Sequence, residues 1–421
     1  MVGLLVIALV IVGVLMYMGI IPNPFAKRKP VNATANTATL SAATANTAPV
    51  GTAAAGSRVA SSTEEDVEED LEADEEDYEE VDPESEGFQM PTVAAEPISS
   101  EESTLVNLQP LSIKDAGFSG PYPNGEFDAE TATMNALKAG FRFLTLNIDS
   151  MTSAKAGFEE PGVPTLLIRS SSGALMSTNS GSISKVAQTI ANAGFRPEIP
   201  HNTQPIILYL HVQRTPNRVQ NPSDYIKFLS KIAKALNPLA PVHLGLNPLG
   251  NFTRQKMESS LLTTPIKSLQ GHVIIMCNAD TSLFRKKSTP SSRFNPDEDL
   301  DFWVNMRVYL ENEADKNGVT QLPPAEGVAN AVLVDTRRVL ALSQEKKDQF
   351  AEKGKNRFVI SMWNSPANPT TSQIQTAINV LGINSIPVDI FSVDTASILD
   401  LASEYSNMPF HPKPSALRSS S

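Results

Sequence analysis

Cysteine is almost missing from this chain: Cys277 is the only one in 421 residues. A single thiol excludes an intramolecular disulfide framework and any cysteine-based zinc site, and it suits a reducing compartment. Histidine is scarce too. There are five, and none stands before His201, so chemistry that needs two imidazoles cannot be carried by the residues ahead of it. No glycine-rich phosphate loop follows any candidate strand, which argues against a nucleotide-binding sheet. No Gly-x-Ser-x-Gly elbow is present either, and the serine-rich 169–182 reads as a flexible rim loop rather than a nucleophile site. Positive charge is also short, with a formal net charge of −12, but 16 acidic side chains lie within the 23 residues 64–86. From residue 105 onward the balance is about +3, too weak to point to nucleic acid.

Three regions follow along the chain. Residues 1–21, MVGLLVIALVIVGVLMYMGII, carry no charge and are long enough as a helix to span the roughly 30 Å hydrocarbon core of a bilayer. A transmembrane helix over 1–22 is expected, because a signal peptide would have a basic start and a small-residue cleavage site. Lys27, Arg28 and Lys29 follow directly, so the positive-inside rule places the bulk of the chain on the cytoplasmic side. The sequons at Asn32 and Asn251 would then go unused. Residues 23–104 are first rich in Ala and Thr and then acidic, with few large apolar residues, which predicts a disordered linker. The acidic run reads as a solvated spacer, with a recognition tail for a basic protein partner as the alternative.

From residue 105 the texture is globular. Candidate strands are 141–148, 164–170, 205–212, 272–277, 330–335, 357–363 and 386–393, mostly continuous apolar runs of the kind found in buried parallel strands. Between them ISKVAQTIANAG, SDYIKFLSKIAKALN and SQIQTAINVLG have helical spacing, with Gly194 and Gly382 where C-caps belong. Seven or eight such units predict an α/β fold, a TIM-type (β/α)8 barrel over 105–421, with a doubly wound sheet as runner-up. The acidic stretch 294–318 reads as part of a helix-bearing insertion near 285–325.

Several segments carry a resemblance. ALKAGFRFLTLNIDS, QPIILYLHVQ and SLQGHVIIMCN, followed by NSPANP, GINSIPVDIF and FHPKPSALR, are similar in order to segments of the phosphoinositide-specific phospholipases C, whose catalytic barrel is built from two halves. The resemblance implies a barrel in which two early histidines and a calcium ion on acidic side chains cleave a phosphodiester. This sequence departs from that pattern. The family's first histidine turn falls in DAGFSGPYP, where Phe118, Ser119 and Pro121 offer no base. Thr145, Asn147 and His211 stand at the positions of calcium-ligating carboxylates, and His272 and Met276 at those of phosphate-binding lysines. HNT at 201–203 directly precedes a strand and reads as coincidence.

Two functions are therefore weighed. The first is a catalytically inactive barrel on a membrane tether, with no cofactor or metal, acting as a structural or binding protein. The charge-free leading segment, the Ala/Thr-rich linker and the degenerate enzyme together suit a membrane component of a large DNA virus particle. The second is a phosphodiesterase with a rebuilt site, which requires His211, Asp149 and either His243 or His272 to converge at the C-terminal mouth. His211, His243 and His272 together would suit zinc, although their spacing has no local motif. A lipid-binding module without turnover would need Arg169, Lys286 and Lys287 at the same mouth. His411, beside Pro412, carries no expected chemistry.

Overall fold

The computed structural model describes residues 103–419 apart from 171, 247–257, 288–297, 311–329, 364–368 and 391–407. The expected transmembrane helix, the linker, the acidic run, both sequons and most of the expected insertion lie outside the described residues. Among the described residues no helix is long and apolar enough to cross a membrane.

Seven parallel strands form the centre: β1 (Ser112–Ile113), β2 (Phe143–Asp149), β3 (Ile206–Val212), β4 (Val273–Cys277), β5 (Met306–Leu310), β6 (Asn330–Asp335) and β7 (Arg357–Met362). Each pairs with the next in chain order. The two edges meet through residues 385–388. Ser385 makes a parallel bridge to Ile360 of β7 and Val388 one to Ile113 of β1. Backbone hydrogen bonds from Ser361 N to Ser385 O (2.8 Å) and from Lys114 N to Val388 O (2.8 Å) run on both sides of that segment. Sequential parallel order with the edges bridged is the TIM-like arrangement and not the doubly wound one.

Period-two alternation divides the strand side chains between two apolar clusters. Phe143, Ile207, Tyr209, Ile274, Met276, Met306, Val308, Ala331, Leu333, Phe358 and Ile360 pack inside the barrel. Leu144, Leu146, Leu208, Leu210, Ile275, Val332 and Val359 face outward against helices. Because both faces are covered, the strands read as continuous apolar runs.

The helices start on side-chain caps. Asp128 accepts from Thr131 N (3.1 Å) at α1 (Ala129–Lys138), and Ser182 from Lys185 N (3.3 Å) at α2 (Ile183–Ala193). The third long helix, α3 (Pro222–Ala235), begins with proline in its first turn. Gly194 caps α2 in a right-handed conformation, and a Cβ there would lie 2.6 Å from Ile206 Cδ1. It is therefore a close-approach glycine. Gly382 has φ +65° just past the last helical turn, where a left-handed cap is expected.

Four sequence expectations need correction. The 164–170 run supplies only Thr165–Leu166, antiparallel to the end of β2, because Pro164 precedes it and Arg169 turns toward Asp149. The 294–318 stretch is not an insertion throughout, since it contains β5, a barrel strand hidden by its acidic flanks. The 386–393 strand reduces, among the described residues, to the bridges at Ser385 and Val388. The segment around His243 makes one parallel bridge to Val273 and then a 3-10 turn over Leu244–Leu246.

The chain enters beneath the barrel. Ser103 O accepts from Ile266 N (2.7 Å), and Leu108–Pro110 pairs antiparallel with Phe410–Pro412. Asn384 Nδ2 reaches the carbonyls of Val106 (3.0 Å) and Leu108 (2.8 Å). Both ends of the described domain therefore meet at the N-terminal ends of the strands.

Candidate functional site

The C-terminal mouth of the barrel is where strand ends and loops can bring polar groups together. β2 continues its inward row Phe143, Thr145, Asn147, Asp149, and β3 its row Ile207, Tyr209, His211, with Asn147 and His211 in register. β1 is short and is followed by Lys114 and Asp115. Asp115 has φ 53°, a left-handed conformation that Asp tolerates better than most residues. That turn aims its carboxylate into the mouth.

A hydrogen-bond chain runs across the opening. Asp115 Oδ1 accepts from Asn147 Nδ2. Asn147 Oδ1 faces His211 Nδ1 at 2.7 Å. Since the amide nitrogen is committed to the carboxylate, the amide oxygen must accept, so His211 carries its proton on Nδ1. On the other side Tyr122 OH donates to Asp115 Oδ2 (3.0 Å), and the Asp389 carboxylate, just past the bridge at Val388, adjoins the same phenol. The Tyr122 ring stacks on Phe118 at 5.0 Å and 10°, and Phe118 meets Phe127 edge-on at 5.3 Å. These aromatic contacts hold the loop after β1 over the mouth.

Burial governs the charges. It raises the Asp115 carboxyl, against the lowering effect of Lys114 and of the Asn147 and Tyr122 hydrogen bonds. It pushes His211 down to about 4, with Lys114 adding to the effect, so this imidazole is neutral near pH 7. The Tyr122 phenol is raised well above 10 by burial and by both carboxylates. Beneath this layer Thr145 Oγ1 and Tyr209 OH are buried without a hydrogen-bond partner.

Asp149 is fully buried and committed elsewhere. Its Oδ2 takes the Arg169 Nε at 2.6 Å, with Arg214 Nε at 3.9 Å, and its Oδ1 accepts from Ser150 N at 2.7 Å. His243 and His272 lie at the opposite end of the barrel. His243 bridges to the first residue of β4, donates from Nε2 to Trp303 O (2.8 Å) and accepts Gly245 N on Nδ1 (3.2 Å). Burial holds it at about 4 as well. His272 immediately precedes β4 and is exposed, with Nδ1 2.7 Å from Gln270 O. The convergence that a rebuilt hydrolase or a zinc site would need does not form, because the strand direction sends these histidines to the N-terminal face. For the same reason His272 cannot occupy a phosphate position at the mouth, whereas Met276 does point inward. His411 pairs with Gln109 beneath the barrel. Arg169 is paired with Asp149, and the side chains of Lys286 and Lys287 lie outside the described residues. Phe118 and Ser119 form a two-residue strand paired with Glu126–Phe127 and supply no acid or base.

The sequence reading missed Lys114, Asp115, Tyr122 and Asp389. The available signal was an aspartate after a very short strand, inside the segment searched only for histidine. Among the described residues no three His, Cys, Asp or Glu side chains gather as a metal site. Among the described mouth residues, Asp115, Asn147 and Thr145 offer calcium no open set of oxygens: both Asp115 oxygens and the Asn147 oxygen already accept hydrogen bonds, and Thr145 offers only a buried hydroxyl.

Neither a family model nor a curated protein matches this sequence. Solved structures do. L. pealei PLC21 is 15% identical over 75% of this chain and 38% of its own, with a TM-score of 0.48. The calcium-dependent phosphoinositol-specific phospholipase C of Pseudomonas sp. is 12% identical over 74% and 96%, with a TM-score of 0.37. The Ca-dependent phosphatidylinositol-specific phospholipase C of Streptomyces antibioticus is 13% identical over 71% and 98%, at 0.38. The likeness is one of fold, and the chain spans 38% of the length of L. pealei PLC21.

Proposed function

We propose that this protein is a membrane-tethered barrel of the phospholipase C type that no longer hydrolyses lipid and acts as a structural or binding protein. The observation that carries this reading is the Asp115–Asn147–His211 chain. The groups best placed for acid–base work are tied to one another, and the one imidazole among the described mouth residues, lowered by burial to about 4, is too weakly basic to hold a proton near pH 7. A catalytic pair needs two groups of separated acidity that can reach a substrate. Here a further carboxylate, Asp149, is paired with Arg169.

In this reading residues 1–21 hold the protein in a bilayer, with the bulk on the cytoplasmic side, in keeping with a virion membrane protein. The barrel or the acidic run meets a protein partner, and nucleic acid is not a partner. One observation favours the second reading, a hydrolase with a rebuilt site. The Asn147 hydrogen bond fixes the His211 tautomer and leaves Nε2 as a lone pair, as a general base would require.

The test is hydrolysis of phosphatidylinositol and its phosphorylated forms by the full-length chain reconstituted in vesicles, with calcium and with chelator. We expect no turnover in either condition and no difference between wild type and His211→Ala. Turnover that disappears in His211→Ala would establish the hydrolase instead.

A further inference from the structure

Among the described residues Lys413 is the only lysine the fold encloses completely, at 0% exposure. It lies on the closing tail, between the strand pair Leu108–Pro110/Phe410–Pro412 and the 3-10 turn Ser415–Leu417, and its backbone N donates to Asn107 O (2.9 Å). Its Nζ makes one hydrogen bond, to Gly354 O at 3.2 Å. That carbonyl ends helix Gln344–Gly354, where the last turn has no acceptors' partners of its own. A protonated amine would bring a full charge and two further N–H groups into a site that answers neither.

The surroundings supply no counter-charge. The charged and titratable groups on the elements that the tail packs against are Glu352, Lys353 and Lys355 at the helix end and Arg357 at the start of β7, with His411 and Arg418 on the tail itself. Residues 103–113 carry none. Glu352 is the single acid of this set, and it pairs with Lys355 at 2.7 Å. Arg418 Nε donates to Lys413 O at 2.7 Å, which brings a second cation to the same residue. The helix C-terminus favours a positive charge only weakly compared with the cost of burying one. Burial accordingly lowers Lys413 to about 7.

We infer that Lys413 makes docking of the C-terminal tail proton-linked: residues 410–419 close the lower end of the barrel around a neutral amine, and uptake of a proton drives them off residues 105–110. The undocked lysine takes up its proton near 10.5 and the docked one near 7, so docking is strongest above the first value and weakens as the pH falls to the second. Residues 105–110 are where the described chain enters, so acidification loosens the barrel at that point. This holds whether or not the mouth hydrolyses lipid.

The experiment is backbone hydrogen exchange of the full-length protein in detergent micelles between about pH 8.5 and 7, with each rate divided by its intrinsic value at that pH to give the opening equilibrium. In wild type the opening of residues 105–111 and 410–418 should grow by more than about tenfold over that fall in pH, while amides in β2 and β3 do not change. Lys413→Met removes the titrating group and keeps the length, and its tail opening should stay within about twofold across the range. Should that variant fail to fold, Lys413→Gln keeps an N–H donor for Gly354 O with no proton to gain and should be equally flat. A wild-type tail that opens no more at the lower pH would overturn the inference, as would a slope equally steep in the Lys413 variant. Core amides that open in step with the tail would also overturn it, because the proton would then act on the whole fold and not on the tail.

Discussion

His243 shows at the level of one side chain how pH should act on this fold. Its Nε2–H serves Trp303 O and its Nδ1 accepts Gly245 N–H, so a second proton would break the Gly245 bond inside the core. Burial holds it at about 4, and His211 likewise. The unfolded chain takes up protons near 6.5, before the folded one does, so this stability is fully present above that pH and is lost as the pH falls toward 4. For each histidine that is on the order of 3 kcal/mol. Asp115 works the other way: its carboxyl is raised, and its protonation favours the folded state in acid. With two histidines against one carboxyl, the urea midpoint should fall between pH 7 and about 4.5. His243→Leu should be less stable at neutral pH and should show a shallower decline. An equally steep profile in His243→Leu would mean that other groups set the acid limit.

At the scale of elements, Arg142 ties a helix to a strand. It stands just before β2, fully buried, and donates from Nη1 to Gly194 O (3.0 Å) and from Nη2 to Pro200 O (2.5 Å). The first of these carbonyls belongs to the C-cap of α2, where a cation is favourable. Arg142→Met should cost about 2–4 kcal/mol by leaving both carbonyls unpaired. Hydrogen exchange should quicken in the last turn of α2 before it does in β3, and uniform quickening would show that the arginine supports the whole core instead. The long strands were legible in the sequence because both their faces are apolar, and the helices because of their spacing. β5 was not, since Met306–Leu310 follows the acidic PDEDLD of 296–301 and its own run is only five residues long. β1 escaped because two paired residues leave no periodicity, and with it went Lys114 and Asp115. The histidines were found, but their ends of the barrel were not, because a residue's place on a strand decides its face and Val273 begins β4 one residue after His272.

For the molecule as a whole, the described chain enters and ends at one face while the polar cluster lies at the other. Residues 105–110 run under the barrel, where Asn384 holds three of their carbonyls at 2.8–3.5 Å and Gln109 Nε2 reaches Ile378 O and Ile383 O. The closing tail lies over them. Phe410 joins Leu105, Val106 and Leu108 in the inner cluster, and Lys413 N donates to Asn107 O. The fully buried Lys413 ammonium donates to Gly354 O (3.2 Å), and burial lowers it to about 7. Any pull on the chain ahead of residue 103 therefore acts first on a segment clamped by the last residues. Deleting residues 410–421 removes the strand pair, the Phe410 contact and the lysine together, a loss of about 3–6 kcal/mol by burial and hydrogen bonding. The truncated protein should melt several degrees lower, and limited proteolysis should cut first within 103–111. If the melting temperature stays within about 1 °C of wild type, the tail is not a clamp and the barrel's lower end is closed by Asn384 and Gln109 alone.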